Sequence, residues 1–130
     1  MEYQSYEKLS HVGHKHYKDT NFCSVIALAS VTGMSFGKSR IKMEKLGRKH
    51  RKGSVVVDLL TAIKNRGYEY ERIEGYRGHH VKTMGGKLKG KGNFIIIVRG
   101  HALAVMDGKI NDWSENSCHR VVNVYKITKI

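Results

Sequence analysis

Proline is absent from this 130-residue chain, and no Ser/Gly-rich stretch takes its place. Without such segments there is nothing to build a linker from, so a single domain over residues 1–130 is expected. Cysteine is scarce: Cys23 precedes an apolar run and Cys118 lies far away in a polar loop. Two thiols so placed exclude a disulfide framework and point to a reducing compartment. Long apolar runs are also missing. No stretch approaches the ~18 apolar residues of a membrane span, and Met1 to Lys18 has no apolar segment of the kind a signal peptide needs. A cytoplasmic protein making no membrane contact is expected. Acidic residues are few, 11 against 24 Lys+Arg, which leaves a formal charge of +13. A field of that sign draws polyanions and acidic surfaces and is silent about fold.

What is present suits a globular domain: 40% of residues are hydrophobic and 8% aromatic, well away from the composition of a disordered chain. Phe22 to Val31 is apolar almost all round, with Asp19, Thr20 and Asn21 ahead of it as caps and Thr32-Gly33 behind, which predicts a buried central helix. Ser35 is placed to cap a helix over Phe36 to Leu46, and Ser54 one over Val55 to Asn65 that stops at Gly67. Beyond Gly67, Tyr68 to Ile73 alternates like an exposed strand, Gly75 to Lys82 reads as a basic loop, and Thr83 to Leu88 as a helical turn. Phe94–Val98, Ala102–Met106, Lys109–Trp113 and Val121–Ile127 follow as strands, the middle two joined by an Asp107-Gly108 hairpin turn. Helices first and an antiparallel sheet after make an α+β layout.

Chemistry concentrates at three residues. A nucleophilic thiol needs a lowered pKa, a base and a group that orients the base, and a helix N-terminus helps with the first. Cys23 stands at such a terminus. His101 opens a strand after the Arg99-Gly100 turn, and Asp112 sits on the next strand of the hairpin, within reach of it. Asn111 alternates to the opposite face and is the poorer orienter.

With Asn21-Phe22-Cys23 opening an apolar helix and Gly100-His101-Ala102-Leu103-Ala104-Val105-Met106-Asp107-Gly108-Lys109-Ile110-Asn111-Asp112 forming a hairpin, the chain resembles the papain-like cysteine peptidases. It is most similar to small bacterial and phage proteins akin to double-glycine leader peptidases, over roughly Asn21 to Trp113. The resemblance implies a Cys-bearing helix packed on the sheet, a peptide or protein substrate, no cofactor, and attack by Cys23 with His101 moving the proton and Asp112 holding the imidazole. It also implies an oxyanion donor, commonly a Gln six residues before the Cys. That position is Tyr17 here, and the only Gln is Gln4. Asn21 stands next in line as the donor, beside the Cys23 N–H, or else serves as a plain helix cap.

Other clusters compete for a role. His11, His14 and His16 lack a second ligand pair of zinc-site spacing, so no metal is expected. Arg48, Lys49, Arg51 and Lys52 head a basic run suited to phosphates, without any recognition motif. Gly85-Gly86-Lys87 lacks the spacing of a phosphate loop. Trp113 either packs in the core or shields the reactive residues. Two readings result: a thiol hydrolase cutting a peptide or isopeptide bond, or a catalytically idle papain-like module of phage origin whose basic face binds nucleic acid or an acidic host protein. The Gln departure and the charge favour the second.

Overall fold

The computed structural model describes residues 4–130. Four helices lead the chain: α1 (Tyr6–His16), α2 (Cys23–Thr32), α3 (Phe36–Lys45) and α4 (Val56–Asn65). They are followed by β1 (Tyr68–Ile73), α5 (Val81–Leu88), β2 (Asn93–Val98), β3 (His101–Met106), β4 (Lys109–Asn111) and β5 (Val121–Lys129). The strands make a five-stranded sheet in the order β1-β5-β2-β3-β4, every neighbour antiparallel, so the fold is α+β.

The central helix α2 is buried from Ser24 to Thr32 because it is covered on every side. Strand β3 lies against one flank and α3 and α4 against others, which is why its sequence shows no polar face. Gly33, at φ 77°, closes it with its N–H on the Ala29 carbonyl, a left-handed cap that a side chain would strain. Alternation along β2 and β3 feeds two cores. Ile95, Ile97, Ala102, Ala104 and Met106 face α2, whereas Phe94, Ile96, Val98, Leu103 and Val105 face the other way, toward Val81, Met84 and Leu88 of α5. A sheet covered on both faces explains the unbroken Phe94-Ile95-Ile96-Ile97-Val98 run. The short turn expected over Thr83–Leu88 is thus a full helix that closes the second core, and Gly85-Gly86-Lys87 lies within it rather than in a loop.

The N-terminal segment departs from expectation. Assigned no element from its sequence, which has no apolar run, it forms α1, which Ser5 caps by accepting from the Lys8 N–H. Its polar composition hid a narrow packing stripe in which Leu9 and Gly13 are buried. At Gly13 a Cβ would come within 2.5 Å of the Phe22 ring and 2.8 Å of the Phe36 ring. Both rings are buried and cannot yield cheaply. Gly13→Ala is therefore expected to destabilise by about 1–3 kcal/mol, an overpacking cost; a thermal melt unchanged from wild type would show that α1 is not seated on Phe22.

Ser54 also departs: α4 has Val55 at its cap position without a side-chain bond, and the Ser54 hydroxyl is buried with no partner among the described residues. Ser35 caps α3 as expected, accepting from Lys38 N. Among the described residues no helix is long and apolar enough to cross a membrane.

Candidate active site

Cys23 is the first residue of α2, and the preceding Phe22 offers no side-chain cap, leaving the first-turn N–H groups and the positive end of the helix dipole beside the thiol. His101 is placed by the tight turn before it. Val98 and His101 pair directly across β2 and β3, and Arg99-Gly100, with Gly100 at φ 74°, spans the gap. At the far end of β3, Asp107 (φ 49°) and Gly108 (φ 81°) both adopt left-handed geometry, the primed turn that Asp-Gly favours, and return the chain as β4. The expected strand Lys109–Trp113 ends early, at Asn111; Asp112 lies just past it.

From there Asp112 Oδ2 lies 2.7 Å from His101 Nε2. The same oxygen accepts from the Ser114 N–H at 3.1 Å and the Ser114 hydroxyl at 2.5 Å. Asp112 is 7% exposed, so the carboxylate is held by its own loop and aims at the ring. Its neighbour Asn111 faces elsewhere: its Nδ2 donates to Ser30 Oγ and Gln4 O, and its Oδ1 accepts from Tyr6 N, tying the lead into α1 to β4 and α2.

With Nε2 on Asp112, Nδ1 is the ring nitrogen left for the thiol, and Cys23 and His101 stand close enough for each to shift the other's titration. Burial drives the imidazole pKa down, but the bonds to Asp112 and Cys23 outweigh it and bring it to about 9. Burial likewise pushes the Cys23 thiol up, and the bonds from His101 and the Ala102 backbone pull it below its ordinary value. Opposite shifts in touching groups favour a thiolate–imidazolium pair.

This pair stands between two hollows. The first, about 520 Å³, is lined by Tyr6, His14, Asn21, Phe22, Gly53, Arg99, Trp113 and His119 together with Cys23 and His101. The second, about 370 Å³, is mainly aliphatic, with Val55, Val56, Leu59, Ile97 and Val98 around the same Cys23 and His101. Gly53 and Gly100 border both. Trp113 is not core: it is 59% exposed, with its ring 5.2 Å from that of His101. It covers one flank of the imidazole, which sequence alone left undecided.

Asn21 does not cap α2. It sits at φ 52° and its Nδ2 donates to Arg51 O at 3.1 Å, while its side chain still borders the first hollow. Tyr17, in the position expected for Gln, turns to α3: its ring packs on Phe36, Arg40 lies over it, and its hydroxyl sits against Gly37. Tyr6 and His14 reach the hollow from α1, a contribution that could not be anticipated while α1 itself was unrecognised. His14 packs edge-on against Phe22. Among the described residues no grouping of His, Cys, Asp and Glu has the geometry of a metal site.

Arg48 requires a correction. It was expected on a phosphate-binding surface, but its side chain is fully buried, with Nη1 2.9 Å from Asp19 Oδ2 and Nη2 3.0 Å from Oδ1. A guanidinium buried on a carboxylate in this way is not presented at the surface, where a phosphate would meet it. Asp19 is correspondingly no helix cap; it also accepts from Thr20 N, Arg51 N and Arg40 Nε. Lys49, Arg51 and Lys52 remain exposed, and Cys118 is an exposed free thiol.

No protein-family description matches the chain, and no curated protein matches it by sequence. Among solved structures it is similar to a double glycine motif protease from an AMS/PCAT transporter, determined in complex with the leader peptide. The two share a TM-score of 0.52 and 19% identity over 83% of this chain and 84% of the other. At that identity the likeness establishes the papain-like α+β fold.

Proposed function

We propose that the chain is a cysteine-dependent hydrolase of peptide or isopeptide bonds. The observation that carries this reading is the placement of Cys23 beside His101, itself bonded to Asp112 at 2.7 Å, at the junction of two hollows. The solved neighbour, a protease holding a leader peptide, supports a peptide as the substrate.

In this reading the Cys23 thiolate attacks the substrate carbonyl carbon, and the C=O electrons move to oxygen. The oxyanion is received by the Cys23 N–H at the helix terminus, with the Asn21 amide at the edge of the same hollow. The tetrahedral species collapses as the His101 imidazolium gives its proton to the departing amine, leaving a thioester on Cys23 and a neutral imidazole. Water, deprotonated by that imidazole, then attacks the thioester, and the acid and the restored ion pair are released. Asp112 keeps the ring in the tautomer that presents Nδ1 to sulfur and stabilises its positive form. The idle-module reading keeps one support: Tyr17 is turned away and the Asn21 amide already serves Arg51, so the oxyanion site is sparsely furnished.

The test is alkylation. Brief iodoacetamide treatment of the full chain at about pH 6, followed by peptide mass spectrometry, is expected to label Cys23 ahead of Cys118, because a thiolate persists there below the ordinary thiol range. The sign follows from the two shifts. The ion pair forms as pH rises through the lowered thiol value and is lost as pH rises through about 9, where the imidazolium gives up its proton. Reactivity should therefore show a plateau ending near that value, and His101→Ala should remove it. Labelling of Cys23 no faster than Cys118 at pH 6 would end the hydrolase reading.

A further inference from the structure

We propose that the cleft selects peptides with acidic side chains beside the scissile bond, and that Arg99 and the loop Lys49–Gly53 are the selecting rim. This rests on the hydrolase reading and adds its substrate class.

Three observations converge. Every ionisable side chain bordering the first hollow, apart from Tyr6 and the thiol itself, is basic or an imidazole: His14, Arg99, His101 and His119; no Asp or Glu borders either hollow at Cys23. Asp112, the carboxylate bonded to His101, is buried behind the imidazole. Next, the loop cations are unspent. Arg48 and Arg40 are consumed by Asp19 and Glu44, whereas Lys49, Arg51, Lys52 and Arg99 make no ion pair among the described residues and are exposed.

The third observation is that the loop is fastened beside the thiol rather than left to wander. Arg51 N donates to Asp19 Oδ1 at 2.7 Å, Asn21 Nδ2 donates to Arg51 O at 3.1 Å, and Lys52 N closes a turn on Lys49 O at 3.0 Å. Arg51 is held at φ 66°, in the left-handed region that a side chain seldom occupies without such ties. Asp19 and Asn21 belong to the segment that leads into Cys23, so one buried carboxylate positions both the nucleophile's helix and the cationic rim. Gly53, the loop's last residue, borders both hollows. A concave site walled by protein and edged by one sign of charge concentrates the opposite charge, raising encounter rates by 10-fold or more, typically about 10–10³.

The probes are two electrophilic peptides of equal size, iodoacetyl-Glu-Glu-amide and iodoacetyl-Gln-Gln-amide, used on the full chain at pH 6 with Cys23 labelling followed by mass spectrometry. The acidic probe is expected to react about 10-fold faster at low salt. In about 0.5 M NaCl, where screening shortens to roughly 4–5 Å, the ratio should approach unity. Arg99→Glu combined with Lys52→Glu, both at exposed positions, should invert the low-salt ratio. Equal rates for the two probes in the wild type, or a preference that survives the charge reversal, would overturn the inference while leaving the hydrolase reading in place. So would protection of Cys23 by oligo(dT) without any preference for the acidic probe, which would assign the rim to a polynucleotide. Failure of both probes and of iodoacetamide to label Cys23 overturns the hydrolase reading and this inference together.

Discussion

Cys23→Ala is expected to abolish hydrolysis of a degenerate pool of internally quenched peptides, a loss of at least about 10³-fold in turnover, because no other side chain can carry the acyl group. The melt should scarcely move. Cys23 is only half-buried at the first position of α2, and alanine fills most of its volume there without disturbing a capping bond. His101→Ala should be equally inactive, since it removes the proton carrier and lets the thiol drift back up. The idle module makes the opposite forecast: Cys23→Ala retains whatever effect the chain has on a host cell, and charge reversal at Lys49, Arg51 and Lys52 removes it. A cellular effect retained by Cys23→Ala and lost on that reversal would transfer the function from the thiol to the basic surface.

Asp19→Ala is expected to produce the largest loss of stability. Both Asp19 and Arg48 have fully buried side chains, and removing the carboxylate strands a guanidinium that cannot reach water. Breaking a buried pair in this way costs about 3–5 kcal/mol, or roughly 10–20 °C in melting temperature for a chain of this size. The pH dependence follows from the direction of the shift. Burial alone would raise the Asp19 pKa, but the Arg48 bonds and the backbone N–H groups of Arg51 and Thr20 override it and hold it well below the usual carboxylate range. Its contribution is therefore complete above the unfolded value of about 4 and is lost only as pH falls through the depressed folded one. Melts of wild type and Asp19→Ala should differ fully at pH 7 and converge in strong acid. A difference under about 1 kcal/mol at pH 7, the level of an exposed pair, would show that the cluster is solvated. Arg48→Met leaves Arg40 beside the carboxylate at 3.1 Å and should cost less.

That cluster marks where reading the sequence stopped. Asp19 is distant in the chain from Arg48 and Arg51, and nothing local distinguishes an Arg that will pair underneath from a Lys that will stay in water. Arg48 was consequently grouped with its exposed neighbours, and Asp19 was taken for a cap. Trp113 posed the same difficulty, since a bulky aromatic after a strand has the same local pattern whether it enters the core or covers a histidine. α1 was hidden for a related reason: a helix that buries only Leu9, Gly13 and the edges of Tyr6 and Val12 leaves a faint apolar period among charged residues.

What the sequence determined by itself are the features set over a few residues. Gly33 ends α2, Ser35 starts α3, Asp107-Gly108 turns the hairpin, and the all-round apolar α2 announces its burial, because caps, turns and periodicity depend on bonds between near neighbours. The pairing of His101 with Asp112 belongs partly to this class, since a two-residue turn brings β3 and β4 together in a forced register. Only the tertiary structure decided which helix terminus faces that hairpin, that Tyr17 turns away and Asn21 engages Arg51, and which cations are neutralised beneath the surface. Those outcomes depend on through-space competition among groups far apart in sequence, where burial decides whether a charge is paired or left to the solvent.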